Sequence, residues 1–183
     1  MRLLLLRHAK SDWTGSTKLD DHERPLNGRG RKAAPKIGEY LRAKNYVPAL
    51  ALCSTATRTR ETLALILPAL KPTPKVQYDR KLYLADWPQL LAVIQNCPSR
   101  ASPLLLVGHN PGMEQLALAL VLKPHSVAER GRAQKMAQKF PTGALAVFDF
   151  DIKTWKEVKP GSGRLTDFVR PKDVMHESDE GEG

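Results

Sequence analysis

Two histidines and two arginines stand where short apolar runs give way to polar residues. Leu3 to Leu6 ends in Arg7-His8-Ala9-Lys10-Ser11, Ala49 to Cys53 runs into Ser54-Thr55-Ala56-Thr57-Arg58-Thr59-Arg60, and Leu104 to Val107 ends in Gly108-His109-Asn110-Pro111-Gly112. Singly, each has an ordinary reading: a polar strand end, a helix cap with solvated arginines, a turn. Together they call for a shared ligand. Guanidinium groups bind oxyanions bidentately, the free N–H groups of a helix start add the positive end of its dipole, and a neutral imidazole accepts a phosphoryl group when its other nitrogen is held by a hydrogen bond. A phosphoryl group accounts for all four residues. No HExxH or CxxC pattern offers a metal site instead. Geometry sets two conditions. In a regular strand Arg7 and His8 face opposite sides, so both meet one ligand only if the pleat breaks at the strand end. Arg58 and Arg60 lie two apart on a helix and cannot point the same way, so only one serves. A capped helix start just after His109 is expected to lower its pKa unless an anion binds beside it.

The elements that position these residues follow from periodicity. Leu3 to Leu6, Ala49 to Cys53, Lys75 to Tyr78, Leu104 to Val107 and Ala144 to Phe150 read as strands, with helical patterns between them. Such alternation predicts an α/β domain with a largely parallel sheet, whose ligands bind at the carboxyl ends of the strands. A first helix spans Gly28 to Lys44, capped by Asn27 and burying Ala33, Ala34, Ile37, Tyr40 and Leu41. Pro35 inside it predicts a late start or a kink. A second starts near Thr55, with Thr59, Leu63, Ile66, Leu67 and Leu70 inward, and a third starts at Asp86, with Leu90, Leu91 and Ile94 inward. A fourth takes Asn110 as cap and Pro111 as first residue, followed by Met113, Leu116, Ala117 and Leu120. A basic segment, Val127 to Gln138, is expected to cover an edge or the rim of the site. The stretch TWKEVKPGSGRLTDFVRP reads as a hairpin, or a loop with an edge strand.

A length of 183 residues with 42% hydrophobic and 26% charged residues fits one domain with a real core and excludes a disordered chain. Residues 1–175 are read as that domain and 176–183 as an acidic, disordered tail. Two cysteines are too few for a disulfide framework, the apolar runs fall short of a membrane span, and the four leucines before Arg7 are too few for a signal peptide. A cytoplasmic setting is therefore expected. The net charge is +10, although the last eight residues carry four acids and no Lys or Arg. The basic body suits anionic partners. With aromatic residues at 6%, a base-stacking nucleic-acid surface is disfavoured.

In this order, LLLLRHAKS, RPLNGRGR, CSTATRTRET and LLLVGHNPG resemble the motifs of the histidine phosphatase superfamily, most closely its SixA-type phosphohistidine phosphatases. The likeness spans roughly residues 2 to 170, with Arg7-His8-Ala9 as a variant of the family's RHG motif. It implies a phosphoglycerate mutase-like, three-layer α/β/α sandwich with a mostly parallel central sheet. It implies His8 as covalent nucleophile, with Arg7, Arg58 and His109 around the phosphoryl group and Arg24 of the RPL segment reaching the same pocket. No metal or cofactor is implied. Phosphoglycerate mutase-like members carry a general-acid Glu in a segment resembling D-x-R-L-x-E, whereas Asp79-Arg80-Lys81-Leu82-Tyr83-Leu84 has leucine there. An alkoxide leaving group would miss that acid, at about 10² to 10⁴ in rate. A phosphoramidate nitrogen, which leaves already protonated, would miss it less. The expected activity is therefore hydrolysis of phosphohistidine, with a phosphorylated signalling protein as partner. The alternatives are a small-metabolite phosphomonoesterase with Asp86 or Asp12 as substitute acid, a phosphoglycerate-type mutase, and a noncatalytic phosphate or nucleic-acid binder.

Other residues carry blander readings. His22 reads as a surface residue, while His125 and His176 have no context. Cys53 and Cys97 read as inert and GSG as a turn. The cations of the 127–139 segment read as a solvated face or as steering for an acidic protein substrate.

Overall fold

The computed structural model describes residues 1–13 and 20–175. Its centre is β1 (Arg2–Arg7), whose leucines are buried on both faces: Leu3 and Leu5 enter one apolar cluster, Leu4 and Leu6 the other. A strand without a solvent face needs a cover on each side, and this dictates three layers. On one side α1 (Gly28–Ala43) and α2 (Thr57–Ile66) supply Ala34, Ile37, Leu41, Leu63 and Ile66. On the other, α3 (Trp87–Gln95) and α4 (Gly112–Leu120) supply Leu90, Ile94, Met113 and Leu116, while α5 (Val127–Gln138) adds Met136. Each leucine fully withdrawn from water contributes about 1.5–3 kcal/mol, so the strand leading to His8 is firmly anchored.

The remaining strands are β2 (Leu50–Ser54), β3 (Lys75–Asp79), β4 (Leu104–Gly108), β5 (Leu145–Asp149) and β6 (Arg164–Val169), and the sheet order is β3-β2-β4-β1-β5-β6. The pairs β2–β3, β2–β4 and β1–β4 are parallel, and only β5 runs against its neighbours. The fold is the expected α/β sandwich. No described helix is long and apolar enough to cross a membrane.

Several boundaries differ from the sequence reading. Helix α1 starts at Gly28 with Asn27 capping it, as expected, but runs past Pro35 unbroken. Burial of Ala33, Ala34, Ile37 and Leu41 holds the helix against the loss of one backbone bond. Helix α2 starts at Thr57, two residues late. Helix α4 starts at Gly112, and Asn110 does not cap it, because the Asn110 amide donates to Glu114 Oε2 and the Phe140 carbonyl instead. Of the late segment only β6 is a strand. The stretch before it forms a 3-10 turn, Trp155–Glu157, whose buried indole N–H donates to the Ala101 carbonyl, and β6 pairs with β5. Helix α5 has its expected bounds and lies on β6, with Arg132 Nε donating to the Leu165 carbonyl. The acidic segment 176–183, with His176, lies outside the described residues.

One glycine bears directly on the site. The Asn27 N–H donates to the Lys10 carbonyl at 3.0 Å, and a Cβ on Gly30 would stand 2.1 Å from that same oxygen. The loop after His8 is thus held against the start of α1 at a distance only glycine permits. Gly30→Ala is expected to cost about 1–3 kcal/mol, lowering the thermal midpoint by several degrees. Gly28→Ala, where nothing lies within 4 Å, should stay close to the parent. Equal midpoints for the two variants would contradict this packing.

Candidate active site

The strand ends that carry the sequence motifs are neighbours in space, because β2, β4 and β1 are adjacent in the sheet. The β1–β4 ladder ends at Arg7 opposite Gly108, followed by one bond from the His8 N–H to the Gly108 carbonyl. The Gly143 N–H then closes on the Arg7 and His8 carbonyls at 3.2 and 2.9 Å, from a left-handed turn with φ of 75°. The pleat therefore breaks where the sequence requires, and Arg7 and His8 line one cleft of about 350 Å³ with Arg24, Arg58, His109 and Asp21.

His8 is 6% exposed, and its Nδ1 lies 2.7 Å from the Ala9 carbonyl. A carbonyl only accepts, so Nδ1 carries the proton and Nε2 keeps its lone pair. Burial lowers the His8 pKa to about 3, with the charges of Arg58, Arg7 and Arg24 acting in the same direction. His109 lies beside it, ring centres 5.3 Å apart, with Nε2 2.8 Å from Ser54 Oγ. Its pKa is also lowered to about 3, by burial first and then by His8 and Arg58.

Of the two α2 arginines, Arg58 is buried and enters the cleft, while Arg60 is exposed and its guanidinium lies 5.7 Å from the Tyr78 ring centre. Arg58 donates through Nη1 to the Asp21 carbonyl and through Nη2 to Asp21 Oδ2 at 2.9 Å. Arg24 stacks on Trp13, 3.5 Å from the ring centre, and donates to Asp21 Oδ1 at 2.6 Å. Tyr83 completes the group, its hydroxyl donating to Asp21 Oδ2 at 2.6 Å. Although burial works the other way, the bonds from Tyr83 and Arg58 hold the Asp21 carboxyl below its usual pKa. Asp21, Tyr83, Trp13 and Ser54 escape the sequence reading. Asp21 sits in the charged run LDDHERP, where a solvated loop is the natural inference.

The substitute acids do not enter the cleft: Asp86 caps α3 in a capping box, and Asp12 is absent from the lining. Leu84, where the resemblance places an acid, does line it. His22 is not a free surface residue, since its Nε2 meets Thr55 Oγ1 at 2.9 Å and its ring packs edge-on against Tyr83. Burial pushes the Cys53 and Cys97 thiols up to about 12 and about 11, which keeps both protonated. Among the described residues, no group of three or more His, Cys, Asp and Glu could hold a metal ion.

Five buried side-chain polar atoms among the described residues have no hydrogen-bond partner in the protein: Nε of Arg7, Arg24 and Arg58, Nδ1 of His109 and Oδ1 of Asn110. All five residues line this cleft. Folded chains pair nearly all such groups, and the three guanidinium Nε–H groups among them are donors with no acceptor in the protein, as a cleft that takes an external oxyanion would have; the Asn110 Oδ1 acceptor does not share in that argument.

The buried imidazoles also make stability depend on pH. Both stay neutral in the folded protein down to about pH 3. In the unfolded chain an ordinary histidine takes up its proton near pH 6.5. The unfolded state thus binds more protons below pH 6.5, and stability present above that pH is lost as pH falls toward 3. Between pH 7 and pH 5 the pair is expected to cost about 3–4 kcal/mol, read as a fall of roughly 10 °C in thermal midpoint without added phosphate. An unchanged midpoint would mean that the imidazoles are charged in the folded state.

The histidine phosphatase superfamily (branch 1) model matches residues 3–89. An uncharacterized protein of Mycobacterium tuberculosis strain H37Rv is 36% identical over 170 residues, covering 91% of this chain and 100% of that protein. Among solved structures, a candidate phosphohistidine phosphatase SixA from Nakamurella multipartitia superposes with a TM-score of 0.78 at 29% identity, over 93% of this chain and 95% of that one. A counterpart from Agrobacterium tumefaciens gives a TM-score of 0.74 at 31% identity, over 93% and 97% of the two chains.

Proposed function

The chain belongs to branch 1 of the histidine phosphatase superfamily, and on that premise we propose that it is a cytoplasmic phosphohistidine phosphatase working through a covalent intermediate on His8. His8 Nε2 attacks phosphorus and forms a P–N bond as the substrate's own P–N bond breaks. The leaving imidazole takes that electron pair and departs neutral, because its far nitrogen already carries a proton. The Nδ1–H bond to the Ala9 carbonyl steadies the positive charge that His8 acquires. Arg7, Arg58 and His109 hold the phosphoryl oxygens, with Arg24 beside them. Water then attacks phosphorus, the bond to Nε2 breaks and its pair returns to the ring, and the water proton leaves with phosphate or to solvent.

The observation that carries the substrate assignment is Leu84. Where a general acid would protonate an alkoxide, the cleft has an aliphatic side chain, and its lining carboxylate, Asp21, is held ionised by Tyr83 and Arg58. An ester would forgo about 10² to 10⁴ in rate, whereas a P–N bond needs no such proton at the moment of cleavage. The test compares metal-free hydrolysis of a phosphohistidine peptide and a simple phosphate ester, with acid-quenched and base-quenched samples assayed for labelled protein. Faster P–N turnover with an acid-labile, base-stable label is the expected result. Preference for the ester would replace this reading with a metabolite phosphatase, and turnover of neither would leave a phosphate binder.

A further inference from the structure

Beside the active cleft lies a second groove, of about 400 Å³, which shares Lys10 and Thr142 with it. Its rim carries six cations from well-separated parts of the chain: Lys10, Arg29, Lys32, Lys139, Arg170 and Lys172. Among the described residues no carboxylate lines it, and Asp173, on the adjoining helical turn Pro171–Val174, is paired with Arg170 and Lys135. Ala33, Pro141, Pro171 and Met175 give it apolar walls. The phosphoryl chemistry described above uses none of the cations peculiar to this groove.

We propose that the groove docks an acidic stretch of the polypeptide substrate, close in sequence to the phosphorylated residue that enters the cleft. This rests on reading the cleft as a phosphohistidine phosphatase, and three observations favour it. The groove is continuous with the cleft through Lys10 and Thr142, so one extended chain, rising about 3.3 Å per residue, can occupy both. The charge is of one sign and spread along the rim, which suits several carboxylates better than a single anion. The proline, alanine and methionine walls suit an apolar side chain between those carboxylates. Among the described residues no aromatic ring lines the groove, which disfavours a stacked nucleic-acid strand.

The test uses the full chain, one acidic peptide containing a leucine, and the same peptide with Gln and Asn in place of its acids. Unphosphorylated and fluorescein-labelled, the acidic peptide should bind at about 50 mM salt and be released near 0.5 M, as expected for exposed charges. Arg29→Glu with Lys172→Glu should weaken that binding about tenfold. With both peptides carrying phosphohistidine, the acidic one should have a KM about tenfold lower than its neutral partner. The charge reversal should erase this difference and leave turnover of the small substrate phosphoramidate within about twofold, since neither residue lines the cleft. Equal binding of the acidic and neutral peptides, or acidic binding unchanged by the charge reversal, would overturn the groove assignment. Binding that emerges only after removal of residues 176–183 would overturn it too, making this chain's own acidic segment the occupant. Acidic-peptide binding without turnover of phosphoramidate or either phosphopeptide would instead overturn the catalytic reading and leave the groove as an acidic-peptide site.

Discussion

His8→Ala is expected to lose turnover by about 10⁴-fold or more and to yield no acid-labile phosphoprotein. The size of the effect follows from the geometry. Nε2 of His8 is the available lone pair facing the guanidinium groups, because Nδ1 is committed to the Ala9 carbonyl. His109 does not stand in for it: with Nε2 accepting from Ser54 Oγ, its unpartnered Nδ1 carries the proton that a donor to a phosphoryl oxygen needs, and so offers no lone pair. Inorganic phosphate should still bind the variant, because the arginines remain, and this separates loss of chemistry from loss of the pocket. A second signature is thermodynamic: with one of the two depressed imidazoles gone, the fall in stability between pH 7 and pH 5 should shrink by about half. Retained turnover, or a label that persists on His8→Ala, would show that the nucleophile lies elsewhere.

Arg58→Ala should cost about 10² to 10³ in kcat/KM, the loss typical of removing one preorganised donor from a developing oxyanion. Arg58 is 2% exposed and positioned in the first turn of α2, so no other cation can swing into its place, and Arg60 lies out by Tyr78. Arg58→Lys should fall between wild type and Arg58→Ala, because it keeps the charge and loses the planar fork. The alanine variant also leaves Asp21 with Arg24 and Tyr83 alone. Asp21→Asn combined with Arg58→Ala should therefore cost less than the two single losses added together. If steady-state rates put Arg58→Ala within a few-fold of wild type, the assignment of the phosphate pocket would be wrong.

The sheet was legible because its strands are apolar on both faces. Leu3 to Leu6 and Leu104 to Val107 have no polar residue to compete for another reading, and their carboxyl ends told where to look. Helix spacing could state that only one of Arg58 and Arg60 serves but not which, since that depends on where α2 begins and the hydroxyl-rich run from Ser54 to Thr59 offers several starting points; the choice of Arg58 rests on the motif resemblance alone. The Asn110-Pro111 pair misled for a related reason: its cap preference is real, yet Glu114 and the Phe140 carbonyl claim the amide. Asp21 was hidden because its partners arrive from distant segments, Arg58 from α2 and Tyr83 from the turn after β3. Spacing along a chain reveals neighbours on one element and says little about a carboxylate gathered by three.

The position of Asp21 bears on how a catalytic cycle ends. Its carboxylate rests on Arg24 and Arg58, the guanidiniums that would receive phosphate, and it is tethered to the site at an effective concentration that can reach the millimolar range. Phosphate leaving such a pocket would thus be exchanged for a carboxylate rather than leave bare, desolvated cations behind. On the proposed reading the same tethered group would compete with orthophosphate and with the incoming phosphoryl group alike, so that what remains bound must outcompete a carboxylate already in place.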